Sequence, residues 1–195
     1  MNPTLRALLV IATTLAPLTA GCATTHSNAP PGVSAAGDSV PLPMRAEVTG
    51  SPDVVVERSV DIAAPPERVF AILLDVSAWT RWDPSVTTTR AYAGRPLEVG
   101  DRFFQDPGGY AGDARVLDVV PSRALRWKGG NPDGSGVTGV HTFRLIGLAN
   151  GGTRVIDREE FSKWYLRLIG WATDLGVGSQ FERTLAGLKR FAEAS

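Results

Sequence analysis

Cysteine and histidine are the scarcest functional residues of this 195-residue chain: one of the first, two of the second. Cys22 alone cannot form an intramolecular disulfide or build a cysteine-based zinc site. His26 and His141 are too few for metal centres that need several imidazoles, and neither a metal nor another cofactor is expected. An excess of charge of one sign is also missing. Lys plus Arg equals Asp plus Glu at 20 each, so no long-range field draws the chain to nucleic acid. Long apolar runs are absent too. Ala7–Ala20 is broken by Pro17 and is shorter than the roughly 20 residues a membrane span requires. The pairs Gly108-Gly109 and Gly129-Gly130 lie in no GxxxxGK[ST] pattern, which excludes a phosphate loop there. No Ser/His/Asp triad is legible. Any chemistry must come from one histidine, carboxylates and aromatic rings.

What is present at the start is an address. Arg6 and the uncharged run to Ala20 have the layout of a signal peptide. Leu18-Thr19-Ala20-Gly21-Cys22 resembles a bacterial lipobox, with Thr19 standing where leucine is commonest. The resemblance implies cleavage after residue 21 and lipidation of Cys22; the plainer reading is a secretory leader with a chance cysteine. Residues 22–53 are rich in Ala, Ser, Thr, Gly and Pro and have no helical or strand period, so they read as a disordered tether. On this reading the protein is held at the bacterial cell envelope, anchored to a membrane but not spanning it.

Residues 54–195 read as one domain. Val54–Ile62 alternates, with Val54, Val56, Arg58, Val60 and Ile62 on the buried parity and Arg58 as its awkward member. Pro66 opens a helix with Val69, Phe70, Leu73 and Leu74 on its apolar face, and Asp75 is expected to cap a second short helix. Trp79 and Trp82 read as a plug fixing this elbow to a sheet. Further strands are expected in Val86–Tyr92, Asp101–Asp106, Tyr110–Val120, Ala124–Lys128, Val137–Leu148 and Thr153–Phe161. From Lys163 to Ala194 apolar residues recur every three or four positions at Trp164, Leu168, Trp171, Leu175, Phe181, Leu185 and Leu188. That is a helix of roughly 48 Å if unbroken, with a bend or break expected between Leu175 and Ser179 because of Gly176 and Gly178. The class is α+β: a curved antiparallel sheet gripping the last helix, with a cavity between them.

The stretch VDIAAPPERVFAILLDVSAWTRWDPSV, with Pro65, Glu67, Phe70, Asp75, Trp79 and Trp82-Asp83-Pro84, resembles the opening of the START-like (SRPBCC) superfamily in its polyketide cyclase/dehydrase and lipid-transport branch. The strand order and long final helix extend the likeness over about residues 54–193. It implies the helix-grip fold and an internal cavity for apolar or amphipathic small molecules.

Strand parity turns His141 inward with Phe143 and Leu145. It reads either as a ligand-orienting acid/base or as a half-buried strand histidine with a local hydrogen bond. The same parity turns Asp157, Glu159 and Phe161 inward. A buried Asp157 or Glu159 needs a partner, for which Arg102, Arg115, Arg126 and His141 are available; otherwise these carboxylates are rim charges. The expected ligand-contacting set is Phe104, Trp127, His141, Phe143, Phe161 and Trp171, with Phe103 also available. Three functions stay open. The chain is a membrane-anchored binder of a hydrophobic, lipid-like or polycyclic molecule, a cyclase/dehydrase using His141 with Asp157 or Glu159, or a protein-interaction module. The first is preferred, since no complete catalytic set is legible.

Overall fold

A computed structural model of the protein describes residues 52–107, 111–130, 137–162 and 170–194. The leader, Cys22, residues 22–51 of the tether, Trp164 and Leu168 lie outside the described residues, as does the Trp171 side chain.

Seven antiparallel strands form one sheet: β1 (Val54–Ile62), β2 (Thr88–Ala91), β3 (Arg102–Asp106), β4 (Gly112–Val120), β5 (Ala124–Gly129), β6 (Gly139–Gly147) and β7 (Thr153–Phe161). Their order is β1-β7-β6-β5-β4-β3-β2, so β2 to β7 follow one another and β1 closes on β7. Between β1 and β2 lie α1 (Pro66–Leu74), a 3-10 turn at Val76–Ala78, and the single turn α2 (Trp79–Trp82). The chain ends on α3 (Gly170–Glu193), which packs along β1 and over the concave face. This is the α+β helix-grip architecture.

Local chemistry accounts for the elements. Pro66 starts α1 where its missing N–H costs nothing, and Val69, Phe70 and Leu73 are buried beneath it. Asp75 precedes the 3-10 turn but makes no side-chain cap; the turn instead runs directly into α2, because both tryptophans are drawn into the core. Trp79 lies 5.5 Å from Phe103 and 5.4 Å from Trp127, ring centre to ring centre, and its Nε1 donates to the Leu73 carbonyl at 3.1 Å. The plug is thus an aromatic block in which the Trp79 N–H is satisfied, while Trp82 Nε1 is buried with no hydrogen-bond partner among the described residues.

The expected break in the last helix does not occur. α3 runs through Gly176 and Gly178 without interruption. The reason lies on β1. A Cβ at Gly178 would collide with the Arg58 guanidinium, which lies across that turn. Asp174 and Glu182 flank Gly178 at four-residue spacing, and Arg58 reaches both, Nη1 at 3.2 Å from Asp174 Oδ1 and Nε at 3.2 Å from Glu182 Oε1. Arg58 is therefore a clasp between strand and helix, and Asp174 and Glu182 turn toward β1. Leu175, expected on the apolar stripe, is 69% exposed, since it sits about 100° round the helix from Asp174. The stripe that meets the sheet is Phe181, Leu185, Leu188 and Ala192.

Candidate functional site

The register of β5, β6 and β7 builds the site. Trp127 pairs with His141, and His141 pairs with Glu159, so the three lie in one row across the concave face. One pair along, Phe143 faces Asp157. Asp157 is thus a diagonal neighbour of His141, within reach of its ring. His141 Nε2 is hydrogen-bonded to Asp157 Oδ1, and Nδ1 lies 3.8 Å from Glu159 Oε2. Asp157 is completely buried, whereas the His141 side chain keeps 15% exposure. Gly139 makes room for the cluster, because a Cβ there would collide with the Glu159 carboxylate.

Aromatic rings fix the imidazole. Trp127 stacks on it at 4.3 Å with 18° between planes, and Phe143 and Phe181 close in at 5.2 and 5.1 Å. Burial by itself would draw His141 below its ordinary value. The Asp157 charge and hydrogen bond outweigh burial, and Glu159 and Asp83 add to them, so His141 is held above it. Burial pushes Asp157 and Glu159 above the carboxylate range, with His141 drawing each partly back. With Asp157 ionised, Nε2 carries the hydrogen it donates, and Nδ1 presents a lone pair on the Glu159 side. An imidazole so oriented can accept a proton from a bound molecule or return one.

The row opens on a cavity of about 360 Å³ between sheet, α2 and α3. Of the expected ligand-contacting residues, Trp127, His141, Phe143 and Phe161 line it, and Glu159 does too. Phe104 does not. It shares the outward parity of β3 with Arg102 and Asp106, while Phe103, fully buried, and Gln105 point in. The arginines considered as partners for Asp157 are engaged otherwise or exposed: Arg126 pairs with Asp118 at 2.8 Å, Arg102 with Asp113 at 2.5 Å, and Arg115 is exposed. Five polar wall residues were not anticipated from sequence: Asp83, Gln105, Thr173, Gln180 and Thr184. Thr184 sits between Phe181 and Leu185 on the buried stripe of α3, which was its one readable signal. Among the described residues no group of three His, Cys, Asp or Glu side chains is arranged to hold a metal ion.

Comparison with known proteins places these features in context. Residues 53–193 match the family described as polyketide cyclase / dehydrase and lipid transport. An uncharacterized protein of Mycobacterium tuberculosis, Rv2574, is 30% identical over 71 residues, which are 36% of this chain and 42% of that protein. The match therefore spans less than half of that relative. The solved structure of hypothetical protein jhp0584 from Helicobacter pylori has a TM-score of 0.64 at 20% identity, over 74% of this chain and 91% of that one. A START superfamily protein from Mycobacterium smegmatis gives 0.57 at 19%, over 72% and 97%. Zhui aromatase/cyclase from Streptomyces sp. R1128 gives 0.55 at 17%, over 71% and 93%. At these identities the likeness is one of fold.

Proposed function

Because the chain belongs to the polyketide cyclase / dehydrase and lipid transport family, we propose that its cavity binds a hydrophobic, ring-bearing or lipid-like small molecule. The observation that carries this reading is the aromatic-walled space of about 360 Å³, within the range of small-molecule sites. A collapsed core would have favoured a protein-docking module instead. The test is native mass spectrometry of the protein purified from its host, repeated after denaturing extraction. A small molecule of defined mass, released on denaturation and lost in Phe181→Trp, is the expected result. Empty protein that takes up no apolar compound on titration sinks the proposal.

A second reading is supported by the His141–Asp157 contact. An imidazole held by a buried carboxylate and facing a cavity is suited to proton abstraction beside a carbonyl, the step shared by ring closure and loss of water. Under this reading His141→Ala abolishes turnover of a captured ligand while leaving its binding within a few fold.

The place of action is the third component of the proposal. Its support is the lipobox-like Leu18–Cys22 and the tether composition that follows. Metabolic labelling with a palmitate analogue is expected to mark the protein in its bacterial host and to be lost in Cys22→Ala. Labelling that survives that substitution removes the anchor from the proposal.

A further inference from the structure

One buried carboxyl on the cavity wall belongs to neither reading. Asp83 lies at the exit of α2, is 6% exposed, and lines the same cavity as His141. Its Oδ1 accepts from the Ser85 backbone N–H at 2.8 Å, and the Thr184 hydroxyl lies 3.0 Å from both carboxyl oxygens. Among the described residues no cation pairs with it; Arg81, two residues earlier, sits over the Phe191 ring at 5.4 Å. The ionisable groups across the cavity are His141 on β6 and Asp157 and Glu159 on β7, and the polar groups α3 brings to the lining are the neutral Thr173, Gln180 and Thr184.

A carboxylate buried without a cation is costly, and the cheaper state is the neutral acid. Burial, reinforced by the Asp157 charge, indeed holds Asp83 above the ordinary carboxyl range, against the hydrogen bonds from Ser85 and Thr184. A neutral acid has something an ionised one lacks: a hydrogen to donate. Oδ1 accepts from the Ser85 N–H and can accept from the Thr184 hydroxyl as well, which leaves Oδ2 to carry it. Beside Asp83 the wall is Val86 and Trp82, whose buried Nε1 has no hydrogen-bond partner among the described residues.

We propose that Asp83 is a ligand-recognising acid that donates a hydrogen bond to a neutral acceptor oxygen, such as a ketone, ester or ether, on an otherwise apolar ligand. The inference rests on the small-molecule reading above and narrows its ligand class. A carboxylate ligand accepts the same hydrogen while Asp83 is neutral and is repelled once Asp83 ionises, so its affinity falls the more steeply with pH. A purely structural Asp83, serving only the Ser85 turn and the tie to Thr184, would show no such preference.

The test uses the full-length protein and three probes: naphthalene, methyl naphthyl ketone and naphthoate. Trp79, Trp82 and Trp127 line the cavity, so their fluorescence reports binding. Below the pH at which Asp83 ionises, the wild type is expected to bind the ketone about ten-fold more tightly than naphthalene, and naphthoate loses affinity more steeply than the ketone as pH rises. The ketone advantage shrinks as pH rises and Asp83 ionises. Asp83→Asn keeps both accepted hydrogen bonds and donates at every pH, so its ketone advantage stays flat. His141, Asp157 and Glu159 titrate in both proteins, and the difference between the two profiles isolates Asp83. Should Asp83→Asn fold poorly, Thr184→Val serves instead: it removes a hydrogen bond that lowers Asp83, so the ketone advantage should persist to higher pH than in the wild type. A ketone bound no better than naphthalene, or an advantage that does not change with pH in the wild type, overturns the assignment while the cavity reading stands. Naphthalene that does not bind at all overturns the cavity reading first, and this assignment with it.

Discussion

Trp127→Ala is expected to lower the unfolding free energy by about 3–5 kcal/mol. The indole is 2% exposed and touches the ring systems of Trp79, Phe103, His141 and Phe143. Truncation removes the largest fully buried side chain among the described residues. The surrounding rings come from α2, β3 and β6, elements fixed by their own packing and hydrogen bonds, so the void cannot close by a small shift. A fall in the denaturation midpoint with an unchanged slope against denaturant is the measurement that checks it. A loss well under 1 kcal/mol would mean that the aromatic block relaxes, and that Trp127 does not hold the His141 ring in place.

Asp157→Asn should invert the pH dependence of stability. In the wild type His141 sits above its ordinary value of about 6.5. A basic group raised on folding adds stability that is complete below the unfolded value and is lost as pH rises through the folded one. Asp157 is itself raised by burial, so the folded pair retains a proton that the unfolded chain gives up with rising pH. The wild type is therefore expected to lose stability as pH rises above about 3.9 on account of Asp157, and further above about 6.5 on account of His141. In Asp157→Asn burial, the largest influence on His141, is opposed only by Glu159 and Asp83, and the imidazole falls below its ordinary value. The variant then loses stability as pH drops through about 6.5. Removing one partner of a buried charged pair costs on the order of 3 kcal/mol, and here that cost appears on the acid side. Parallel slopes in the two proteins would show that Asp157 does not set the His141 titration. His141 chemical shifts followed by NMR across pH give the same answer directly.

Parity carried most of what was legible in the sequence. Alternation in Val137–Leu148 and Thr153–Phe161 was enough to turn His141, Asp157 and Glu159 to one side, because both strands are regular and pair without a slip. The choice between four partners for Asp157 was not legible. It depends on which strands are neighbours, and only the register makes His141 the diagonal one. Phe104 was misjudged although the information was present, since Arg102 and Asp106 flank it at two-residue spacing and belong outside. The unbroken α3 was not predictable from propensity. Glycine weakens a helix in isolation, but Gly178 is required by a guanidinium arriving from a strand 120 residues earlier in sequence. Asp83 was read only within the Trp82-Asp83-Pro84 motif, and nothing local marks it as the aspartate that Thr184, 101 residues away, ties to a cavity wall.

The closure of β1 on β7 also governs when this protein can fold. Val54 pairs with Phe161, and the Arg58 clasp waits for Asp174 and Glu182. The first strand to be synthesised thus has no sheet partner until the last strand exists, and no helix to pack against until α3 follows it. Such distant pairings delay folding relative to a fold built from local contacts. Emerging chains carry β1 and α1 with their apolar faces uncovered for most of their length. For that interval the unpaired β1 is open to capture by a holding chaperone, while β2 to β6 can already pair in order.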